Sequence, residues 1–143
     1  MAITTAMCNS FKQELLGGVH DLDTDTLKVA LIKQSPTGTF GASTTNYSDL
    51  GADEATGTNY TAGGQALDSP VISLSSGTAF VDFADEVFTN LTISADGAII
   101  YNASQGNKAV AVFDFGSTVT STSGDFTIVF PTADASNAVI RIS

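Results

Sequence analysis

The chain has 143 residues with 15 acidic and five basic side chains, and its formal net charge of −10 excludes the basic surface needed to bind a nucleic-acid backbone. One cysteine and one histidine exclude an internal disulfide and leave too few ligands for a cysteine-based zinc site. The length predicts a single domain over residues 1–143, because domains usually contain about 100–200 residues.

Residues 1–20 predict an N-terminal helix or arm. The helix is expected from about Thr5 to Leu16, with Thr4 or Thr5 as its cap and Gly17-Gly18 as its end. Its apolar face has helical spacing and comprises Met7, Cys8, Phe11, Leu15 and Leu16. A helix this short must dock on other structure, and we expect it to cover the sheet of its own subunit; an arm that grips a neighbour is the alternative.

Neither a secretory signal nor a membrane span is expected. The first ten residues have no basic segment and no unbroken apolar run. No stretch approaches 18 consecutive apolar residues. We therefore expect a soluble protein made in a cytoplasm, with no membrane among its partners.

The hydrophobic period changes from 3.6 to 2 after Asp25, which predicts a strand over residues 26–33. Residues 34–64 then form a long region rich in Gly, Ser, Thr and Asn, and loops of this length are usually functional or disordered. Its few apolar anchors are Phe40, Tyr47, Leu50 and Tyr60. This loop is the predicted contact surface.

Short strands separated by turn signals are predicted for the rest of the chain. They cover residues 65–67, 71–74, 78–83, 90–93, 97–102, 108–115, 125–130 and 138–142. The turn signals between them include Asp96-Gly97 and the 116–124 stretch. Strands at this spacing predict a mainly β fold, either an antiparallel β-sandwich or a jelly-roll-like barrel, with a short N-terminal α-helix.

The acidic groups favour structural roles over catalysis or metal binding. Asp21, Asp23 and Asp25 alternate like calcium ligands, but Thr26 and Ile32 stand where an EF-hand loop needs Gly and Glu. A solvated acidic turn is the better interpretation. The adjacent pairs Asp53-Glu54 and Asp85-Glu86 are expected to point apart, whereas glycosidases need two carboxylates facing each other across a cleft.

The remaining candidates for chemistry are also weak. His20 follows the predicted helix with no Gly-x-Ser-x-Gly motif in the chain, so we expect a hydrogen-bonded boundary histidine. Cys8 is expected to be a small buried apolar residue. The glycine-rich stretch 57–64 lacks a following Gly-Lys-Ser/Thr and opens no helix. No catalytic residue, cofactor or metal site is predicted, and the chain is not expected to be an enzyme.

Several segments, taken in order, give the chain a recognisable pattern over nearly its whole length. They are residues 4–16, 26–32, 57–64, 97–102, 109–116 and 124–131. In this order they resemble the small virion structural proteins of tailed phages, particularly head decoration (cement) proteins of marine and cyanobacterial phages. The matching motifs are packing and turn patterns and include no catalytic residues.

The resemblance implies a β-rich subunit that binds and stabilises the mature phage head from the outer capsid surface. The implied partners are the major capsid protein and copies of the chain itself, as a homo-trimer. We expect contacts from the aromatic and apolar anchors of the 34–64 loop, with the helix as a second candidate. The predicted contact residues are Phe40, Tyr47, Leu50, Tyr60, Met7 and Phe11.

Three alternatives remain open. The chain could be a tail or head-fibre component that presents the long loop to a host surface. A carbohydrate-binding β-sandwich that contacts host glycans is a second possibility. A hydrolase using an acidic pair is the third and the weakest, since nothing in the sequence positions two carboxylates across a cleft.

Overall fold

A computed structural model of the chain describes residues 2–143, which fold into ten β-strands and one α-helix. The strands are β1 Ala2–Ile3, β2 Ala6–Met7, β3 Leu27–Lys33, β4 Thr39–Phe40, β5 Gln65–Ala66, β6 Val71–Ser75, β7 Thr78–Asp82, β8 Glu86–Asn102, β9 Lys108–Ile128 and β10 Ile140–Ile142. The helix α1 spans Asn9–Leu16. Among residues 2–143 there is no helix with the length and apolar character needed to cross a membrane.

The strands form three sheets. The largest has five strands in the order β2-β9-β8-β3-β5, all antiparallel to their neighbours. A second sheet has the order β10-β7-β6, and β1 pairs with β4 as a short parallel pair. The predicted mainly β class with antiparallel sheets and a short N-terminal helix is confirmed. The architecture is consistent with a sandwich, whereas the barrel alternative is wrong because the described strands close no barrel.

The long hairpin of β8 and β9 carries the core. Its 17- and 21-residue strands are joined through a short 3-10 turn, with Gly106 and Asn107 at positive φ. Beside the turn both strands are almost completely buried, and β3 pairs with β8 there, placing Val29 opposite Ile100 and Leu31 opposite Ala98. The predicted strand over residues 26–33 is confirmed.

Two predicted turns lie inside these long strands. Asp96-Gly97 belongs to β8, and the 116–124 stretch belongs to β9. A side chain at position 97 would collide with the Phe113 carbonyl and the Ile3 side chain, so this glycine permits close packing and does not reverse the chain. In β9, Gly116 and Ser123 adopt positive φ, and the pairing register shifts there. The hydroxyl-rich residues 116–124 therefore form a bent part of strand β9 and not a turn.

The helix begins later than predicted. Ala6 and Met7 pair with β9 as β2, so α1 begins at Asn9, with Cys8 as an N-cap that makes no side-chain cap bond. Cys8 and Phe11 are fully buried, which docks the helix on its own subunit. Leu16 is 93% exposed, so its predicted place on the buried face is wrong. The predicted end at Gly17-Gly18 is confirmed, with Gly18 at positive φ.

The 34–64 region is folded along most of its length and is not an open loop. It contains β4 and a 3-10 segment, Tyr47–Asp53, whose start is held by a capping box between Asn46 and Asp49. Ile32 and Thr92 each form an isolated bridge with this region, to Glu54 and to Thr58 respectively. The region is therefore held against both β3 and β8.

The second sheet, β10-β7-β6, is the small sheet, and the β6–β7 hairpin supplies two of its three strands. Its strands are joined by Ser76-Gly77, both at positive φ, the conformation of a two-residue type I′ turn. Ile72 lies opposite Val81, and Leu74 lies opposite Ala79. Because directly opposed residues share a face, these side chains form one apolar face, to which β10 adds Ile140 and Ile142.

Candidate functional site

Three of the six predicted contact residues are core side chains. Phe11, Leu50 and Phe40 are exposed by 0%, 2% and 3%, which leaves almost no side-chain area for a partner. We therefore do not retain them as contact residues. Met7, Tyr47 and Tyr60 are half-buried, so a contact role for these three stays a prediction.

Tyr47 and Tyr60 bind one carboxylate, that of Glu54. The Tyr47 hydroxyl donates to Oε2 at 2.6 Å and the Tyr60 hydroxyl donates to Oε1 at 2.9 Å. The Gly63 amide also donates to Oε1, at 2.6 Å, and the Tyr60 oxygen accepts the Leu31 amide at 2.9 Å. These bonds fasten the 34–64 region to the edge of β3.

The third tyrosine of the chain joins the same cluster. Tyr101 stacks on Tyr47 with ring centroids 4.6 Å apart, and its hydroxyl donates to the Gly63 carbonyl at 2.6 Å. Burial, followed by the negative charge of Glu54, raises the pKa of Tyr101 to about 12. Burial is also the main reason why the pKa values of Tyr47 and Tyr60 lie well above the ordinary range. All three hydroxyls therefore stay protonated and act as donors.

Asp53, the neighbour of Glu54, points the other way and is 5% exposed. Its carboxylate accepts the Thr37 amide at 3.0 Å and the Gly38 amide at 2.7 Å, and it pairs with Lys33 at 2.9 Å. The bond from Lys33, followed by those from the two amides, holds its pKa well below the ordinary range. The prediction that this acidic pair points apart is confirmed.

Asp85 and Glu86 also diverge. Asp85 accepts the Phe130 amide at 2.9 Å, whereas Glu86 is buried and accepts from the Gln65 side chain. Burial raises the pKa of Glu86, and the nearby charge of Asp68 adds to this. In each of the two pairs, the neighbouring carboxylates therefore bind different parts of the fold.

His20 belongs to a buried polar network behind the helix. Its Nε2 lies 3.2 Å from Glu14 Oε1, and its Nδ1 lies 3.0 Å from the Asn102 side-chain nitrogen. That nitrogen also donates to Asp25 Oδ2 at 2.7 Å, and the imidazole packs against the Phe11 ring. The prediction of a hydrogen-bonded boundary histidine is confirmed. The network joins the helix end to the β8–β9 turn.

The acidic triplet and the cysteine are engaged locally. Asp21 Oδ1 accepts the amides of Asp23 and Thr24, while Asp25 accepts the amide of Asp21. This is the predicted acidic turn, and no group of metal-ligating side chains is found in residues 2–143. Burial raises the pKa of the Cys8 thiol to about 12, so the thiol stays protonated and packs as the predicted apolar residue.

A surface cavity has two carboxylates in its lining. It measures about 650 Å³ and lies beside Ile3, where Asp96 and Asp114 face it. Asp96 accepts the Ser35 amide and the Thr118 hydroxyl, and Asp114 accepts the Gly116 amide. Both carboxylates stabilise the bends of the strands around the cavity.

The small sheet carries the clearest uncovered surface of the described chain. On its apolar face Val81 and Ile140 are buried, whereas Ile72, Leu74 and Ile142 are exposed by 54%, 74% and 49%. A groove of about 400 Å³ separates this face from the segment after the helix. Its walls include Leu15, Leu22, Ile72, Val81, Ile140 and Ile142, with His20 and Asp21 at one side.

Sequence reasoning identified β6 as a strand but did not identify its apolar side chains as exposed. The available signal was the segment Val71–Ser75, in which apolar residues occur on both faces and no charge interrupts them. Such a strand is typical either of a buried position in a sheet or of an edge that can pair with another strand. The structure places it at an edge, with Val71 56% exposed.

A second apolar surface lies at the end of the β8–β9 hairpin that is away from its turn. Val119 and Val129 are exposed by 41% and 70%. They border a depression of about 260 Å³, together with Phe115, Phe126 and Ile128. This surface belongs to β9 and the residues after it, and none of its lining residues is shared with the groove beside the small sheet.

The chain matches no protein-family model, and no curated protein and no solved structure is significantly similar to it.

Replacing Tyr60 by Phe tests the tyrosine cluster. The variant removes the hydroxyl that accepts the Leu31 amide and donates to Glu54, leaving a strand amide unpaired. We expect the free energy of unfolding to fall by about 1–3 kcal/mol, measured by urea denaturation. Tyr47→Phe is the matched control and should cost less, since its hydroxyl bonds Glu54 and the loop amide of Gly63 but accepts no amide from a strand. Equal losses in the two variants would contradict this assignment.

The depressed pKa of Asp53 predicts a defined dependence of stability on pH. Its ionised form is favoured in the folded chain, so its contribution is complete above the unfolded pKa of about 3.9. That contribution is lost as the pH falls from this value toward the lower folded pKa. We expect wild type to be more stable than Asp53→Asn at pH 7 and this difference to shrink below about pH 4. A pH-independent difference, measured by denaturation between pH 7 and 2.5, would refute the assignment.

Proposed function

We propose that this protein is a non-enzymatic structural subunit of a tailed-phage particle, and specifically a head decoration protein on the outer surface of the capsid. One observation carries the proposal. The side chains best suited to chemistry, including Asp53, Glu54, His20 and Cys8, are engaged or buried inside the fold, whereas large apolar side chains remain exposed on two sheets. Such a chain acts through its surfaces.

The composition supports the same role. Charged residues make up 14% of the chain, compared with roughly 25% in ordinary soluble proteins. Hydroxyl groups cost less to desolvate than charges, so a surface of this kind can be packed over a wide area. A subunit that binds only the mature shell stabilises that shell by mass action, without any reaction.

A decoration subunit needs one surface for the shell and one for neighbouring copies. The two exposed apolar surfaces meet this requirement. We assign the surface around Val119 and Val129 to the major capsid protein, and the edge of the small sheet to a further copy of the chain. The resemblance of the sequence to phage head proteins supports the choice of these two partners.

Antibody labelling of intact particles tests the location. We expect label at many copies over the head when particles carrying this chain are viewed by electron microscopy. Label restricted to the tail or its fibres would replace decoration by an adsorption role, and unlabelled particles would overturn the proposal of a virion protein. A glycan array should show no binding, whereas sugar-dependent binding would favour the carbohydrate-binding alternative.

The shell contact can be tested on particles that lack the protein. Purified Val129→Lys should bind such particles at least about tenfold more weakly than wild type, since a charge would be buried at the contact. Leu16→Lys is the matched control, because Leu16 is equally apolar and more exposed but lies outside this surface. Equal binding by wild type and Val129→Lys would contradict the assigned contact.

A further inference from the structure

The free edge of the small sheet has a definite pattern of unpaired main-chain groups. In a two-residue hairpin, the residues flanking the turn form a hydrogen-bonded pair, and such pairs alternate along the strands. Ser75 and Thr78 flank the turn, so Ser75, Ser73 and Val71 direct their main-chain groups toward β7. The amides and carbonyls of Ile72 and Leu74 therefore point away from the sheet.

The edge strands β5 and β10 and the free part of β9 are protected against pairing. β5 has two residues, and β10 has three, including the charged Arg141. The free part of β9 contains Asp114 and Asp125 and is bent at Gly116. Short length, charge and bulges are the usual means by which proteins block edge pairing. β6 has none of them: it has five residues, no charge and no register shift with β7.

We propose that β6 pairs with β6 of a second copy of this chain about a two-fold axis. Only one antiparallel register brings the outward groups of both strands together over their full length. It places Ser73 opposite Ser73 of the second copy, and Ile72 opposite Leu74 in both directions. Each Ile72–Leu74 pair then exchanges two hydrogen bonds, which joins the two small sheets into one of six strands.

Side-chain chemistry favours this partner. Ile72 and Leu74 lie on the same face, so the pairing places four aliphatic side chains side by side and covers area now exposed to water. The chain carries a net charge of −10, which disfavours self-association over most of its surface. The strand Val71–Ser75 contains no charged residue. Pairing through this strand therefore places no two charged side chains of the paired strands against each other.

This pairing specifies how the edge of the small sheet binds a further copy of the chain. It rests on the proposed function only in the assignment of that edge to a neighbouring copy. A two-fold contact of identical strands is closed after two copies, so it replaces the trimer implied by the resemblance with a dimer. Five-residue strands bury less than the roughly 1,600 Å² of a standard interface. The dimer is therefore expected to dissociate on dilution.

Cysteine cross-linking tests the register. Residues at position 73 form a non-hydrogen-bonded pair, in which the Cα atoms lie about 4.5 Å apart, within the range that a disulfide spans. We expect Ser73→Cys to form a covalent dimer on mild oxidation, seen on a non-reducing gel. Ser75→Cys is the control, since it would face Val71 and should cross-link much more slowly. The native Cys8 is fully buried and does not compete. Equal or absent cross-linking in both variants would overturn the register.

Sedimentation of the purified chain tests the association itself. Wild type should approach twice the subunit mass of 14.7 kDa as its concentration rises from about 1 μM to 1 mM. Leu74→Lys, at a side chain 74% exposed, should raise the dissociation constant by about tenfold or more. Leu16→Lys, with its far-UV circular dichroism as a check on folding, should leave that constant unchanged.

A wild-type chain that stays monomeric, or a trimer insensitive to Leu74→Lys, would overturn the inference. These measurements use no phage particles and are therefore independent of the labelling experiment. A dimer that labels no particle would overturn the proposed function alone. A monomer that labels the head would overturn the pairing alone.

Discussion

Two adjacent carboxylates, Asp53 and Glu54, hold the least regular part of the chain in place. Asp53 accepts the amides of Thr37 and Gly38, and Glu54 accepts the amide of Gly63 and two tyrosine hydroxyls. Bonds to an ionised acceptor are stronger than those between neutral groups. The two side chains thus fix both ends of a segment that would otherwise be free to move.

This constraint decides which surfaces are available. With residues 34–64 fixed, Phe40 and Leu50 complete the core, and the tyrosines are occupied by internal hydrogen bonds. Apart from Leu16 at the end of α1, the large apolar side chains left exposed lie on the small sheet and at the far end of the β8–β9 hairpin. The proposed contacts with other molecules therefore use sheet edges and sheet faces.

The sequence predicted those elements of the fold that depend on neighbouring residues alone. The alternation in Leu27–Lys33 and the double glycine at residues 17 and 18 specify a strand and a helix end through properties of neighbouring residues. Asp96-Gly97 misled because a glycine that reverses the chain and one that admits a neighbouring carbonyl look alike in sequence. Thr5 looked like a helix cap, but pairing of Ala6 and Met7 with β9 prevailed over the local signal.

The burial of the aromatic side chains in residues 34–64 was harder to predict, because it depends on partners far away in sequence. Tyr60 is held by Leu31, which lies 29 residues earlier, and no spacing rule links them. Conversely, the uncharged strand β6 is easily recognised, but only the sheet order shows that it lies at an edge.

Hydrogen exchange of the folded chain tests the fixed state of residues 34–64 most directly. We predict that the amides of Thr37, Gly38 and Gly63 exchange as slowly as those of β3, since each donates to a carboxylate held in place. Exchange of these three amides at the rate of an open loop would contradict the account, because the aromatic side chains of the segment would then be free to meet a partner.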